Sequence, residues 1–255
     1  ENDLKNFKRI FSESEFLPDM IKIYPTLVIE KTVLHTLWEK GLFSPMQSME
    51  AAKLIVELKK FVPKYVRIMR VQRDIPSTVV AGGAMHTNLR QLVEAEQKRL
   101  GVKCQCIRCR EAGLNSFRDG IDLSNCSPEL LRLDYDSSGG KEIFLSVEDK
   151  KNDLLFGFCR LRIPSSPFRK EITLRTGLIR ELHVYTRSLE LGKKPSLQEF
   201  QHKGFGKRLV IEAERIAKEE FDADKLLVIS GLGVKDYYKK NFGCIDDGPY
   251  VSKKL

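Results

Sequence analysis

The chain has 255 residues, 42% of them hydrophobic, and 44 Lys and Arg against 35 Asp and Glu give it a formal net charge of +9. This length allows a sizeable core in one large domain or two small ones. No run of about 18 apolar residues and no secretory signal pattern is evident, so we expect a cytoplasmic protein that does not span a membrane. The positive charge favours an anionic partner such as nucleic acid, although a solvated basic surface would look the same.

Helical spacing of apolar residues dominates the first hundred positions. Residues 31–61 predict two helices, the second starting at Ser44 and Pro45, and residues 88–100 predict another that ends at Gly101. Between them, "YVRIMRVQR" alternates apolar with basic residues and predicts a strand. Its positive face would consist of Arg67, Arg70 and Arg73.

Three cysteines lie within the six residues "CQCIRC". Cys104, Cys106 and Cys109 follow a C-x-C-x-x-C spacing, which lets three thiolates converge on one ion. Zinc suits such a soft ligand set, while an iron–sulfur cluster is the competing interpretation. His86 is the candidate fourth ligand, although a lone histidine is as often a purely structural residue. Three cysteines and a histidine would leave no open position, so the site would hold a linker together rather than catalyse. The other three cysteines receive no role.

The second half of the chain predicts an α/β fold. "KEIFLSVED" and "LLFGFCRLRI" are strand-like and separated by the turn-prone "KKND", which indicates a hairpin. "GLIRELHVYT" predicts a third strand. A helix, the short strand "KLLVIS", the short helix "VKDYYKKNFG" and a last strand "YVSKKL" follow.

A glycine-containing loop precedes that first helix, in "FQHKGFGKRL" at residues 200–209. Bare backbone at a helix start allows amides to converge on a phosphate, helped by the helix dipole. A glycine-rich loop without a ligand is the alternative. The Q-x-x-G-x-G spacing, together with the order of strands and helices around it, resembles the GNAT acyltransferases. That resemblance implies a GNAT fold that binds acetyl-CoA.

Longer blocks extend the likeness over nearly the whole chain. "RELHVYTRS", "VISGLGVKDYYKKNFG", "PDMIKIYPTLVIEKT" and "RVQRDIPSTVVAGGAMHTNLRQL" are similar to the Elongator catalytic-subunit family, in an archaeal-like form. The family implies a radical S-adenosylmethionine domain joined to a GNAT domain, which together add a carboxymethyl-type group from acetyl-CoA to the wobble uridine of tRNA. Its iron–sulfur cysteines and S-adenosylmethionine site belong to an N-terminal part that this chain is expected to lack.

The resemblance divides the chain into three expected segments. Residues 1–75 would be the tail of the radical domain, residues 76–126 a zinc-binding linker and residues 127–255 the GNAT domain. The expected partners are tRNA and acetyl-CoA, with no membrane. Whether a second copy of the chain or Elongator-type subunits also bind is left open.

Glu181 and His183 alternate along one strand and share a face, so both could act on the acetyl group, with the strand amides polarising the thioester. Equally, His183 could be a satisfied core residue and Glu181 an arginine partner. The family resemblance favours Tyr238 as the phenol beside the sulfur, with Glu181, His183 and Tyr238 as catalytic residues. The expected acetyl-CoA-binding residues are Glu181, Leu182, His183, Val184, Gln201, Gly204, Phe205, Gly206, Lys207, Arg208, Tyr237 and Tyr238.

Two other functions fit the same residues. A protein lysine N-acetyltransferase would use the same acetyl-CoA site on a different nucleophile. A non-catalytic RNA-binding module would retain the fold as an interaction surface. Release of free thiol from acetyl-CoA, with tRNA or with a basic peptide, distinguishes these functions.

Overall fold

The structure is a computed structural model that describes residues 2–86, 88–185 and 204–255. It consists of two compact units, Glu1–Cys109 and Arg110–Leu255. Both units contain helices as well as strands, which confirms the predicted α/β class. The finer division at residues 75 and 126 stays a prediction.

The first unit contains short strands and four longer helices. Its helices are α1 (Asn2–Arg9), α2 (Val33–Glu39), α3 (Ser48–Lys59), α4 (Leu89–Leu100) and α5 (Ile107–Arg110), the last of which reaches the first residue of the second unit. Its strands are β1 (Met20–Lys22), β2 (Leu27–Ile29), β3 (Arg67–Arg70) and β4 (Val80–Gly83). β1 pairs with β3 in parallel, and β2 pairs with β4 antiparallel.

Most of the elements predicted for this unit are confirmed. α4 ends where Gly101 takes a left-handed φ of 64°, as its sequence predicted. The predicted basic strand exists as β3, but it ends at Arg70, so Arg73 lies beyond it. The predicted start of α3 at Ser44 was wrong, because the helix begins at Ser48 with Gln47 as its N-cap.

The second unit is built on one seven-stranded sheet. Its strands are β5 (Glu129–Ser137), β6 (Gly140–Asp149), β7 (Leu154–Ile163), β8 (Thr176–Val184), β9 (Lys225–Val228), β10 (Ile245–Asp247) and β11 (Tyr250–Lys254). Their order in the sheet is β10-β11-β9-β8-β7-β6-β5, and among these described strands only β8 and β9 are parallel neighbours. Its further helices are α6 (Ala112–Asp119), α7 (Phe205–Phe221) and α8 (Lys235–Phe242).

Helix α7 packs against this sheet through the apolar face that its sequence predicted. Leu209, Ala213, Ile216 and Ala217 are all fully buried in the core of the unit. Gly177 on β8 permits this close packing, because a Cβ there would lie 2.6 Å from the Cβ of Ala217. A larger residue at Gly177 would force helix and strand apart.

Strands β8 and β9 separate part-way along their length. They pair from Thr176 with Lys225 to Ile179 with Val228, where β9 ends and β8 continues to Val184. A bulge at Arg180 shifts the pairing of β8 with β7 at the same level. In the part of the chain that the structure describes, no strand pairs with the β9-facing edge of residues 180–184.

None of the described helices is both long enough and apolar enough to cross a membrane.

Candidate functional site

Three elements meet where β8 and β9 separate: the end of β8, the first turn of α7, and α8. Gly206 marks the meeting point, because a Cβ there would lie 3.3 Å from Tyr237 Oη and 3.5 Å from Val184 Cγ2. The Cδ2 atom of Leu182 would be 3.9 Å away. Any side chain at Gly206 would therefore enter this cleft.

The first turn of α7 supplies backbone donors to the cleft. Gly204 caps the helix in a left-handed conformation with φ 106°, and no side chain among the described residues caps it. The leading amides of a helix have no carbonyl partner within the helix itself, and its dipole favours an anion at this end. The side chains of Lys207 and Arg208 are exposed beside them, whereas Phe205 packs in the core. Gln201 lies outside the described residues.

The two tyrosines of α8 have different surroundings. Tyr238 is 6% exposed and belongs to the core, and burial raises the pKa of its hydroxyl. Tyr237 is 39% exposed, and its hydroxyl is the one beside Gly206. The sequence favoured Tyr238 as the phenol donor, whereas in the structure it is the Tyr237 hydroxyl that lies beside Gly206. Consecutive helical residues point in different directions, so only one of the pair faces the cleft.

Glu181 lies on the opposite face of β8 from Leu182 and Val184. Its Oε2 accepts a hydrogen bond of 2.5 Å from Arg160 Nε, and its Oε1 is 3.5 Å from His183 Nε2. Burial raises the pKa of Glu181, but the His183 hydrogen bond and the charge of Arg160 outweigh it, so the pKa is lowered overall. Glu181 is therefore an ionised carboxylate with an arginine partner, one of the two roles that the sequence left open.

Arg160, the partner of this carboxylate, lies on β7 with its side chain buried. It is 1% exposed, and its guanidinium carbon lies 5.2 Å from the ring centre of Phe144 and 5.1 Å from that of Phe158. His183 is half-exposed, with its ring 5.2 Å from Phe158. Sequence reasoning missed Arg160, although an arginine directly after the apolar run "LLFGFC" of β7 was a visible signal.

The predicted cysteine cluster forms in the first unit. The Sγ atoms of Cys104, Cys106 and Cys109 all lie within 4.8 Å of one another. Cys104 and Cys106 are buried and Cys109 is half-buried. Hydrogen bonds from the two neighbouring thiols lower the pKa of Cys106. Three converging soft ligands fit a zinc ion.

His86 is not brought into this cluster. It is exposed, and its Nδ1 atom is 2.7 Å from Ser48 Oγ at the start of α3. No histidine joins the group of converging ligand atoms among the described residues. The expectation that His86 is the fourth ligand is thus not supported by its placement, because β4 directs the following residues toward α3 instead.

A buried lysine accompanies the three thiols. Lys59 is 1% exposed and donates a hydrogen bond to Gln97 Oε1, a neutral acceptor. After the hydrogen bonds from Cys104 and Cys109, its charge also lowers the pKa of Cys106. A buried ammonium is costly without a nearby anion, and three thiolates on a divalent ion carry one negative charge. The sequence contained this signal, since Lys59 continues the apolar spacing of Ala52, Ile55 and Val56 on α3.

Comparison with known proteins shows which class of protein this chain resembles. A model of the Radical_SAM C-terminal domain matches residues 18–99. A solved structure titled as archaeal Methanocaldococcus infernus Elp3 with an N-terminal deletion is 48% identical, with a TM-score of 0.89 over 99% of this chain and 59% of that one. The class is therefore that of an α/β chain in which residues 18–99 are similar to a radical S-adenosylmethionine C-terminal domain.

The curated relatives define the family more closely. The tRNA uridine(34) acetyltransferase of Methanocaldococcus jannaschii is 49% identical over all of this chain and 47% of its own length. Elongator complex protein 3 of Saccharomyces cerevisiae is 44% identical over all of this chain and 46% of its own length. The chain is thus homologous to these proteins along its own whole length, which confirms the resemblance seen in its sequence. It spans about half the length of these relatives.

We expect the cysteine cluster to hold one zinc ion per chain, with Lys59 balancing its charge. Elemental analysis should find a one-to-one ratio that Cys106→Ser abolishes and Cys126→Ser, outside the cluster, leaves intact. In competition with a chelator, Lys59→Met should weaken zinc retention by about tenfold or more, as changes around metal ligands do. The exposed neighbour in Lys60→Met is the matched control.

Protein without zinc, or an iron–sulfur absorption band in protein prepared without oxygen, would contradict the metal assignment. Equal retention in the Lys59→Met and Lys60→Met variants would contradict the role of Lys59.

Proposed function

We propose that the second unit is a GNAT-type domain that binds acetyl-CoA in the cleft between β8, α7 and α8, as part of a tRNA wobble-uridine acetyltransferase. The observation that carries this proposal is the separation of β8 from β9 beside the first turn of α7. The names of the relatives support the tRNA substrate and the acetyl group. The cytoplasmic location stays a prediction.

The cleft suits each part of acetyl-CoA. The β9-facing edge of residues 180–184 would pair with the amides of the pantetheine arm and would polarise the thioester carbonyl. The pyrophosphate would occupy the first turn of α7, neutralised by Lys207 and Arg208. Exposed apolar side chains after β9 would cover the arm: Ile229, Leu232 and Val234 are 45%, 86% and 50% exposed.

The chemistry would fall to groups on both sides of that edge. His183 is half-exposed, beside the ionised Glu181, and is the best-placed proton acceptor. The Tyr237 hydroxyl is placed to donate to the sulfur of the leaving thiol, and it replaces Tyr238 in this proposal. A lysine N-acetyltransferase would use the same groups, so the nucleophile must be identified by experiment.

Other parts of the assignment rest on the family. The zinc site would stabilise the end of the first unit, and the iron–sulfur cluster and S-adenosylmethionine would belong to the part of the relatives' length that this chain does not match. Basic residues on β3, Arg67 and Arg70, are candidates for tRNA contacts. A second copy or Elongator-type subunits remain predicted partners.

Gly206→Val should abolish acetyl-CoA binding, because its branched side chain would fill the space between Tyr237 and Val184. Gly206→Ala is the graded control: its Cβ is only 3.3 Å from Tyr237 Oη, and a small shift of that ring accommodates it. We therefore expect it to weaken binding by about tenfold or less, the effect of roughly 1 kcal/mol. Calorimetry on folded variants measures both, and wild-type affinity in Gly206→Val would show that the cleft is not the site.

The function itself is tested by the release of free thiol from acetyl-CoA. We expect tRNA to stimulate release by the whole chain and a basic peptide to have no effect, with Gly206→Val inactive under both conditions. Stimulation by the peptide alone would indicate a lysine acetyltransferase. Binding of tRNA without any thiol release would indicate the non-catalytic RNA-binding module.

A further inference from the structure

We propose that Arg160 is a positioning residue that fixes Glu181, which in turn orients His183 for proton transfer at the acetyl group. The proposal rests on the proposed function of the cleft. It concerns the only chain of contacts in the described part of the sheet that runs from a fully buried guanidinium to an exposed imidazole.

The geometry of the three side chains is sequential. Arg160 and Glu181 are directly paired across β7 and β8, and Arg160 Nε is 2.5 Å from Glu181 Oε2. The other carboxylate oxygen, Oε1, is 3.5 Å from His183 Nε2. Glu181 thus receives one partner on each oxygen. His183 Nε2 faces the carboxylate, so Nδ1 is the nitrogen left for a reacting group.

Other buried ion pairs on this sheet end differently. Arg110 donates to Glu148 at 2.7 and 2.8 Å, and that carboxylate also accepts from Ser146 at 2.8 Å. Glu142 likewise lies between two arginines, Arg162 and Arg180. Arg110 also lies 3.9 Å from the partly exposed Asp153, but none of the contacts described for these two pairs reaches a histidine, so such pairs account for cohesion of the sheet. The Arg160–Glu181 pair, in contrast, also contacts the half-exposed His183, and cohesion of the sheet does not require that contact.

The surroundings of Arg160 fix its direction. Its guanidinium lies within 5.2 Å of the ring centres of Phe144 and Phe158, and the charge is almost wholly removed from water. Cation–π contact compensates part of that desolvation, and the Glu181 carboxylate supplies the opposing charge. The ring of Phe158 also contacts His183, so the same aromatic residue packs against both Arg160 and His183.

The resulting chemistry is balanced for thioester hydrolysis. Water attacks the acetyl carbon while His183 Nδ1 accepts its proton, and the carbon–sulfur bond then breaks. The Tyr237 hydroxyl donates a proton to the departing thiolate and regains one from solvent, while the imidazolium releases its proton to solvent, giving free thiol and acetic acid, which loses its own proton to solvent. Glu181 remains ionised throughout and stabilises the imidazolium, as a carboxylate does in a catalytic triad. With a tRNA or peptide nucleophile in place of water, the same two proton transfers apply.

One test needs no turnover. The chain has four histidines, so nitrogen NMR of histidine-labelled protein can resolve the His183 ring. We expect neutral His183 to carry its proton on Nε2, donated to Glu181. Arg160→Met should give a mixture of the two tautomers, and Arg160→Lys should largely restore the single form. Arg162→Met removes a charge from another buried pair on the same strand and should leave His183 unchanged.

A second test uses thiol release. Arg160→Met should lower kcat by about tenfold or more, within the range of general acid–base effects, while the KM for acetyl-CoA changes by less than about twofold. Because Arg160 acts through Glu181, adding Arg160→Met to Glu181→Gln should lower kcat no further. If Arg160→Met does not fold, Arg160→Lys and Glu181→Gln carry the comparison, since Glu181→Gln leaves the arginine in place.

An unchanged tautomer in Arg160→Met, or independent and multiplying effects of the Arg160 and Glu181 substitutions on kcat, would overturn the proposal. A chain that neither binds acetyl-CoA nor releases thiol would instead overturn the proposed function. In that case the NMR result would still decide whether Arg160 orients His183.

Discussion

The separation of β8 from β9 at Ile179 and Val228 is the constraint on which the proposed site depends. It leaves the edge of residues 180–184 without a paired strand among the residues described, in the middle of a seven-stranded sheet. The close approach of Gly177 to Ala217 sets α7 against the part of β8 that pairs with β9. The first turn of the helix, with Gly206, therefore lies beside residues 180–184, which among the described strands pair with β7 alone.

Buried cations identify the candidate sites in both units. In the first unit, Lys59 is buried beside three thiols, where the expected metal–thiolate group would provide its counter-charge. In the second, Arg160 is buried against two aromatic rings and holds the carboxylate of Glu181. Burying either charge costs free energy unless an anion compensates it. Each buried cation therefore indicates a site at which an anionic group of the same unit compensates its charge.

The sequence predicted elements whose signals are local. Helix α4 with its terminal Gly101, the hairpin of β6 and β7, the inward face of α7 and the cysteine cluster all depend on short-range patterns, and the structure has them. Strand β5 was not predicted, because four of the nine residues in "ELLRLDYDS" are charged, as suits a strand at the edge of a sheet. Neither local pattern nor spacing could place His86, whose position is set by Ser48, 38 residues away.

The site residues show the same limit. Alternation along β8 correctly put Glu181 and His183 on one face, but the partner of Glu181 comes from β7, 21 residues earlier. The choice between Tyr237 and Tyr238 depended on how α8 is rotated against the sheet, which only tertiary packing determines. The family resemblance pointed to this pair of tyrosines as candidates, and the structure distinguishes them by exposure.

Amide hydrogen exchange with and without acetyl-CoA tests the central claim most directly. If the β9-facing edge of β8 and the first turn of α7 bind acetyl-CoA, exchange should slow on saturation at those amides of residues 180–184 that do not face β7, and at residues 205–207. The later turns of α7 should be unaffected, because their amides are already bonded within the helix. Saturable binding without protection at residues 180–184 would contradict the account.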